Sequence, residues 1–181
     1  SELDRAAAHA TPVDRQCSIV DLGALSRPTL ASFPRQAGYL VPESSAISHW
    51  RRWLAALGDG PKIGISWRSK NLRGERRLAC MDLMQWAPLF AVQGVHFICL
   101  QYDDCQDELA AAQARFGVPV HVPPALDLHD DLDGVMALMH GLDLVVAAAT
   151  AVGVLAGAIG APTWQLTRGT DWHGMGHTHS R

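Results

Sequence analysis

Asp143-Leu144-Val145-Val146-Ala147-Ala148-Ala149-Thr150-Ala151-Val152-Gly153, running on through Val154 to Ala161 and into Pro162-Thr163-Trp164-Gln165, is the stretch that decides the fold. Residues 144–167 carry no charge, and the run is long enough to cross a bilayer. Alanine and glycine dominate it, however, with Thr150 in the middle and Pro162 near the end. A strand, a helix and a second strand buried in a parallel sheet produce the same run. The run therefore reads as a strand over 143–146, a helix from about Thr150 to Ile159, and a last strand over 162–165. No membrane span is expected.

Upstream, the pattern repeats. Lys62-Ile63-Gly64-Ile65-Ser66-Trp67 reads as a strand, followed by a polar loop to about Ala79. Asp82 caps a helix through Phe90, and 95–100 is the next strand. Asp103 or Asp104 starts a helix ending near Phe116-Gly117, 118–121 is a short strand, and Asp130 or Asp131 begins a helix to His140. Strands separated by helical stretches mean βαβ units and a parallel sheet. The right-handed crossover rule then leads to an α/β, Rossmann-like doubly wound domain. Before it, Ser44 or Ser45 caps a helix in which Ile47, Trp50, Trp53, Leu54 and Leu57 share a face, stopped by Gly58-Asp59-Gly60-Pro61. Residues 1–42 are punctuated by Pro28, Pro34, Gly38 and Pro42; Glu2–Ala10 could form a helix and Ser18–Leu22 a short apolar strand. The expected organisation is 1–42 as an interlobe segment or remnant of another lobe, 43–172 as the Rossmann-like domain, and 173–181 as a tail.

In open parallel sheets ligands bind at the carboxyl ends of the strands, near the switch point. Three loops lie there. The first, Arg68-Ser69-Lys70-Asn71-Leu72-Arg73-Gly74-Glu75-Arg76-Arg77, holds five cationic side chains and one acid. It reads either as an anion-binding loop, with charge-assisted bonds to phosphate or carbonyl oxygen, or as a solvated basic loop. The second, 147–153, brings small residues and a helix N-terminus together. Thr150, Ala151 and Val152 could face an anion there, or Thr150 could merely cap. In the third, Gln101 and Tyr102 are candidates for contact with a base or ribose, while Asp103 is expected to cap the helix that follows.

Other classes find less support. With a net charge of −3, the chain lacks the basic surface that selects for nucleic acid. Cys17, Cys80, Cys99 and Cys105 form no CxxC pair, which fits a reduced cytoplasm and neither a zinc site nor a disulfide framework. His173, His177 and His179 have a metal-like spacing but sit in a glycine-bearing tail, and no metal is expected. Asp127, Asp130, Asp131 and Asp133 precede an apolar helix, where capping explains them. No GxGxxG, Walker A or nucleophile motif is present. Ser1 stands where a methionine would open a chain, and the sequence is expected to be a piece of something longer.

The order of Lys62 to Asn71, Trp86-Ala87-Pro88-Leu89-Phe90, Phe97-Ile98-Cys99-Leu100-Gln101-Tyr102-Asp103, Asp131-Leu132-Asp133, and Asp143 through Leu155 to Trp164 resembles the catalytic region of bacterial tetratricopeptide-repeat glycosyltransferases. These include the flagellin-modifying type and are similar in layout to O-GlcNAc transferases and heptosyltransferases. The resemblance covers about residues 25–172. Phe33-Pro34 and Gly38-Tyr39-Leu40 match the segment that joins the lobes in such proteins. It implies the C-terminal lobe of a GT-B enzyme, which binds a nucleotide sugar, UDP- or CMP-linked, and transfers the sugar to a protein or glycan acceptor, flagellin among them. The resemblance places Arg68, Ser69, Lys70, Asn71 and Arg73 near phosphates and sugar. It places Thr150, Ala151 and Val152 at the diphosphate, and Gln101 and Tyr102 near the base. No metal or other cofactor is implied, because cationic side chains and helix dipoles stabilise the leaving nucleotide. Many relatives carry Asp-Thr and a His where this chain has Ala149-Thr150 and Val154. The lobe that normally supplies the acceptor contacts and a catalytic base is missing, so no catalytic residue is assigned and the chain alone is expected to be inactive. The alternative is a non-catalytic scaffold module that docks a protein partner.

Overall fold

The computed structural model describes residues 14–34, 37–70 and 80–167. The chain divides into two compact units between residues 35 and 36. In the first, the expected strand over Ser18–Leu22 is instead a helix, α1 (Ile19–Ser26). Its first turn is closed by the Asp21 and Leu22 amides, both donating to the Ser18 carbonyl. An isolated apolar pentamer has no neighbouring strand to complete its hydrogen bonds, whereas a helix satisfies its own. A short 3-10 turn, Leu30–Ser32, follows, and the Arg27 guanidinium lies 5.9 Å from the Phe33 ring centre. The proposed helix at Glu2–Ala10 lies outside the described residues.

The second unit is the α/β domain. It contains α2 (Ser44–Ala56), β1 (Lys62–Ser66), α3 (Ala87–Phe90), β2 (His96–Cys99), α4 (Gln106–Phe116), β3 (Val120–His121), α5 (Leu132–Met139), β4 (Leu144–Ala148), α6 (Ala151–Ala158) and β5 (Thr163–Leu166). All five strands are parallel, in the order β3-β2-β1-β4-β5. This is a Rossmann-like doubly wound sheet, as the alternation of strand and helix patterns predicts. The uncharged run 144–167 resolves into β4, α6 and β5. Among the described residues no helix is long and apolar enough to cross a membrane.

Period-two alternation sorts the core into two layers. Ile63, Ile65 and Trp67 join Phe97, Cys99 and Val146 on one face, covered by Leu83, Trp86 and Phe90 and by Leu109 and Ala112 of α4. Ile98, Leu100, Val145 and Ala147 form the other face, covered by Trp50 and Leu54 of α2, Val135, Leu138 and Met139 of α5, and Val152 and Ala156 of α6. Each large side chain withdrawn completely from water, such as Trp67, Phe97 or Ile65, contributes about 1.5–3 kcal/mol. Gly64 in mid-β1 makes this packing possible, since a Cβ there would lie 2.5 Å from Leu100 Cδ1 and 2.6 Å from Leu142 Cδ1.

Several ends differ from expectation in informative ways. Glu43, not Ser44 or Ser45, caps α2, its carboxylate accepting from the Ser45 and Ala46 amides. Those bonds, led by the one from the Ser45 side chain, hold the Glu43 carboxyl below its ordinary range. Asp82 does cap, in a reciprocal box with Gln85, but what it opens is a 3-10 turn (Leu83–Trp86) leading into one turn of α3 at Pro88. Asp131 caps α5 through the Gly134 amide. Residues 37–42 belong with the sheet: the Tyr39 and Leu40 amides both donate to the Ala158 carbonyl at the end of α6, at 2.7 and 2.9 Å. That approach needs glycine on both sides, because a Cβ on Gly38 would sit 2.5 Å from the Ile159 carbonyl carbon and one on Gly160, at φ +75°, 2.4 Å from the Ala37 oxygen.

Candidate functional site at the carboxyl edge of the sheet

The switch point of a 3-2-1-4-5 sheet lies between β1 and β4, whose helices pack on opposite faces. Ser66, the last residue of β1, is paired with Ala147 of β4, so the loops starting at Trp67 and at Ala149 leave the sheet side by side. The sequence places the basic loop on one and the α6 N-terminus on the other.

The basic loop is held from the β2 side by one buried amide. Gln101 Oε1 accepts from the Ser66 hydroxyl (3.3 Å), the Trp67 amide (3.2 Å) and the Arg68 amide (3.3 Å). Its Nε2 donates to the Arg68 carbonyl (2.9 Å) and to Asp103 Oδ1 (2.6 Å). With 2 % of its surface exposed, Gln101 extends the sheet by one side-chain rung beyond the last β1–β2 backbone bond. Tyr102 continues the clasp, its hydroxyl accepting from the Lys70 amide at 3.1 Å and donating to Ser69 Oγ at 3.3 Å. The Tyr102 ring lies 6.0 Å from that of His129, in the loop after β3. Both residues thus position the loop, and the Gln101 amide has all its capacity committed within the protein.

Arg68 is likewise engaged. Its Nε donates to both oxygens of Glu108 at 3.0 Å, Nη2 to Glu108 Oε2 at 2.6 Å and to the Asp104 carbonyl at 3.0 Å, and Nη1 pairs with Asp103. The Glu108 hydrogen bond, opposed by burial and supported by Asp103, holds the guanidinium protonated more firmly than usual. Glu108 also accepts from the Trp67 indole at 3.0 Å. The Arg68 side chain therefore reaches toward the residues after β2, away from β4, and its charge is neutralised by two carboxylates. Asp103, expected as a helix cap, serves this ion pair instead; Cys105 occupies the cap position of α4 without a side-chain cap bond, and Asp104 receives the Gln106 amide at 3.2 Å.

What remains for a ligand is narrower than the candidate set. Lys70 is exposed, and its ammonium has no partner among the described residues. Across the switch point, Thr150 stands at the N-cap of α6 in extended conformation, yet its hydroxyl makes no cap bond. Thr150 Oγ1 is buried with no hydrogen-bond partner among the described residues. Ala151 is exposed, while the Val152 side chain belongs to the core. Asn71 and Arg73 lie outside the described residues, as do His173, His177 and His179. Among the described residues no three His, Cys, Asp or Glu side chains cluster as metal ligands would.

With this geometry the chain can be set beside known proteins. It is similar to Protein FlbA of Caulobacter vibrioides (strain ATCC 19089 / CIP 103742 / CB 15). The two are 39% identical over 150 residues, which is 83% of this chain and 25% of FlbA. The chain thus spans a quarter of the length of the curated relative it matches. No family model matches it, and no solved structure matches it. Sequence reasoning missed Glu108, whose position on α4 carries no motif; its i+40 relation to Arg68 exists only in the folded sheet.

Proposed function

We propose that this chain is the donor-binding lobe of a glycosyltransferase that moves a sugar from a nucleotide sugar, UDP- or CMP-linked, to a protein or glycan acceptor. One observation carries the reading. The Lys70 ammonium and the Thr150 hydroxyl at a helix N-terminus, both without a side-chain partner among the described residues, flank the switch point of a Rossmann-like sheet. A diphosphate lying across the two loops would meet a cation on one wall, and first-turn amides and the helix dipole on the other. Resemblance to tetratricopeptide-repeat glycosyltransferases of the GT-B type supports the sugar-nucleotide assignment, with flagellin among the acceptors it suggests. Under this reading Arg68 is a positioning residue: it anchors the loop that presents Lys70. Neither the acceptor contacts nor a catalytic base is assigned among the described residues.

Calorimetric titration with UDP, CMP and GDP tests the donor site. Saturable binding of UDP or CMP that weakens in Lys70→Ala is expected; no heat at millimolar ligand overturns the reading. A second reading, a scaffold lobe that docks a protein partner without chemistry, draws on the internal neutralisation of Arg68 and on Ala149 and Val154. Sugar transfer by the full-length protein, lost in Lys70→Ala with folding intact, excludes it.

A further inference from the structure

Cys99 and Cys105 bracket the loop that holds the basic segment, and their sulfurs lie 3.8 Å apart. Cys99 ends β2 at 1 % exposure, and Cys105 stands at the N-cap of α4 at 7 %. Helix N-caps favour Ser, Thr, Asp or Asn, whose oxygen receives a first-turn amide. Here the cap side chain forgoes that bond and turns to the other sulfur. Between the two cysteines lie Gln101 and Asp103, the residues that grip Trp67 and Arg68. We propose that Cys99 and Cys105 are a modification site, forming a reversible disulfide under hydrogen peroxide and thereby loosening the hold of the 100–104 loop on the segment after β1.

The chemistry balances with one peroxide. The contact between the two sulfurs, opposed by burial and supported by a backbone hydrogen bond at Gln101, draws the Cys99 thiol below its ordinary range, while the same contact and burial push Cys105 up. Cys99, facing Cys105 at 3.8 Å, is therefore the attacking sulfur. It attacks one peroxide oxygen, the O–O bond breaks, and the departing hydroxide takes a proton to become water. The resulting sulfenic sulfur is attacked by Cys105, whose proton leaves with the displaced hydroxyl as a second water. Two thiols are oxidised, one peroxide is reduced, and the sulfurs close from 3.8 Å to the ~2.05 Å of a disulfide. Cys99 is held in the sheet by its pairing with Ile65 of β1, so the movement falls on Cys105 and the loop.

The test uses the chain carrying Cys17→Ser and Cys80→Ser, which leaves only this pair, treated with hydrogen peroxide and read by intact mass, thiol alkylation and non-reducing peptide mapping. The expected result is a loss of two hydrogens, disappearance of both thiols together, a peptide joining residues 99 and 105, and reversal by dithiothreitol. Oxygen additions without a cross-link, or two thiols still open to alkylation, overturn the proposal. If the serine variant fails to fold, the same map on the unsubstituted chain decides, with links to Cys17 or Cys80 counting against. Hydrogen exchange at the Trp67 and Arg68 amides reads the loop: faster exchange in the oxidised chain is expected, and unchanged exchange refutes the loosening.

Discussion

Replacing Gln101 with leucine removes a side chain of similar size from a site that is 2 % exposed, and so isolates its hydrogen bonds. The Trp67 amide, the Arg68 amide and the Arg68 carbonyl all lose their partner, and Asp103 loses a donor. A buried backbone group left unpaired costs about 1–3 kcal/mol. The Arg68 groups are only partly buried, and the two amide bonds near 3.3 Å are long, so each is taken at the low end. Leucine returns a fraction of the loss as apolar burial. The expected net destabilisation is about 3 kcal/mol, measured as a fall in the urea midpoint at unchanged slope. Gln101→Glu separates donor from acceptor: the three accepted bonds can persist, but two donated ones are lost and a carboxylate faces Asp103. It should be at least as destabilising at neutral pH and recover on acidification, as the new carboxyl takes up a proton. A Gln101→Leu chain within about 1 kcal/mol of the unsubstituted protein would refute the clasp as the element that sets the β1 loop.

Arg68→Met and Glu108→Leu, combined in a double-mutant cycle, should show a coupling of about 1–2 kcal/mol, reduced from a fully buried pair because Glu108 is a third exposed; additive effects would mean the ion pair does not tie α4 to β1. Thr150→Val should leave stability unchanged or raise it by up to about 1 kcal/mol, because an unpaired buried hydroxyl disappears, while weakening UDP or CMP binding; a clear loss of thermal stability would contradict the unsatisfied Oγ1. Gly38→Ala should cost about 2–3 kcal/mol in chemical denaturation through overpacking and the two bonds to the Ala158 carbonyl, and a neutral effect would mean that the segment can move aside. Burial, with His96 and Lys62 nearby, holds the His121 ring below its ordinary pKa. The unfolded chain then binds the proton more readily, so stability is present above about pH 6.5 and falls on acidification through the lowered folded value. His121→Gln should flatten the fall in melting temperature below about pH 6.5, and an unchanged profile would assign the slope to other groups.

The sheet was readable because β1, β2 and β4 are buried on both faces and so appear as apolar runs such as Ile63-Gly64-Ile65 and Leu144-Val145-Val146, set apart by helical stretches. Ser18–Leu22 misled because the same apolar residues suit a helix when no strand lies beside them. Glu43 was overlooked since capping statistics favour serine, yet its longer carboxylate reaches the amides of the first turn. The location of the candidate site follows from strand order, but the state of its side chains does not. Arg68 reads as a free cation until Asp103 and Glu108 fold against it, and Gln101 reads as a base contact until its amide is spent on the neighbouring strand. Long-range pairing of polar groups leaves no periodic trace in sequence.

The crossing of Gly38 over Gly160 has a mechanical meaning. It fastens the incoming chain to one end of α6, and Thr150 stands at the other, about 12 Å away along eight helical residues. The helix between them is Ala- and Gly-rich and packs on β4 mainly through Val152 and Ala156. A displacement of residues 37–40 would therefore act along the α6 axis on the wall of the switch point that carries the helix terminus, while the opposite wall is tied to β2 by Gln101.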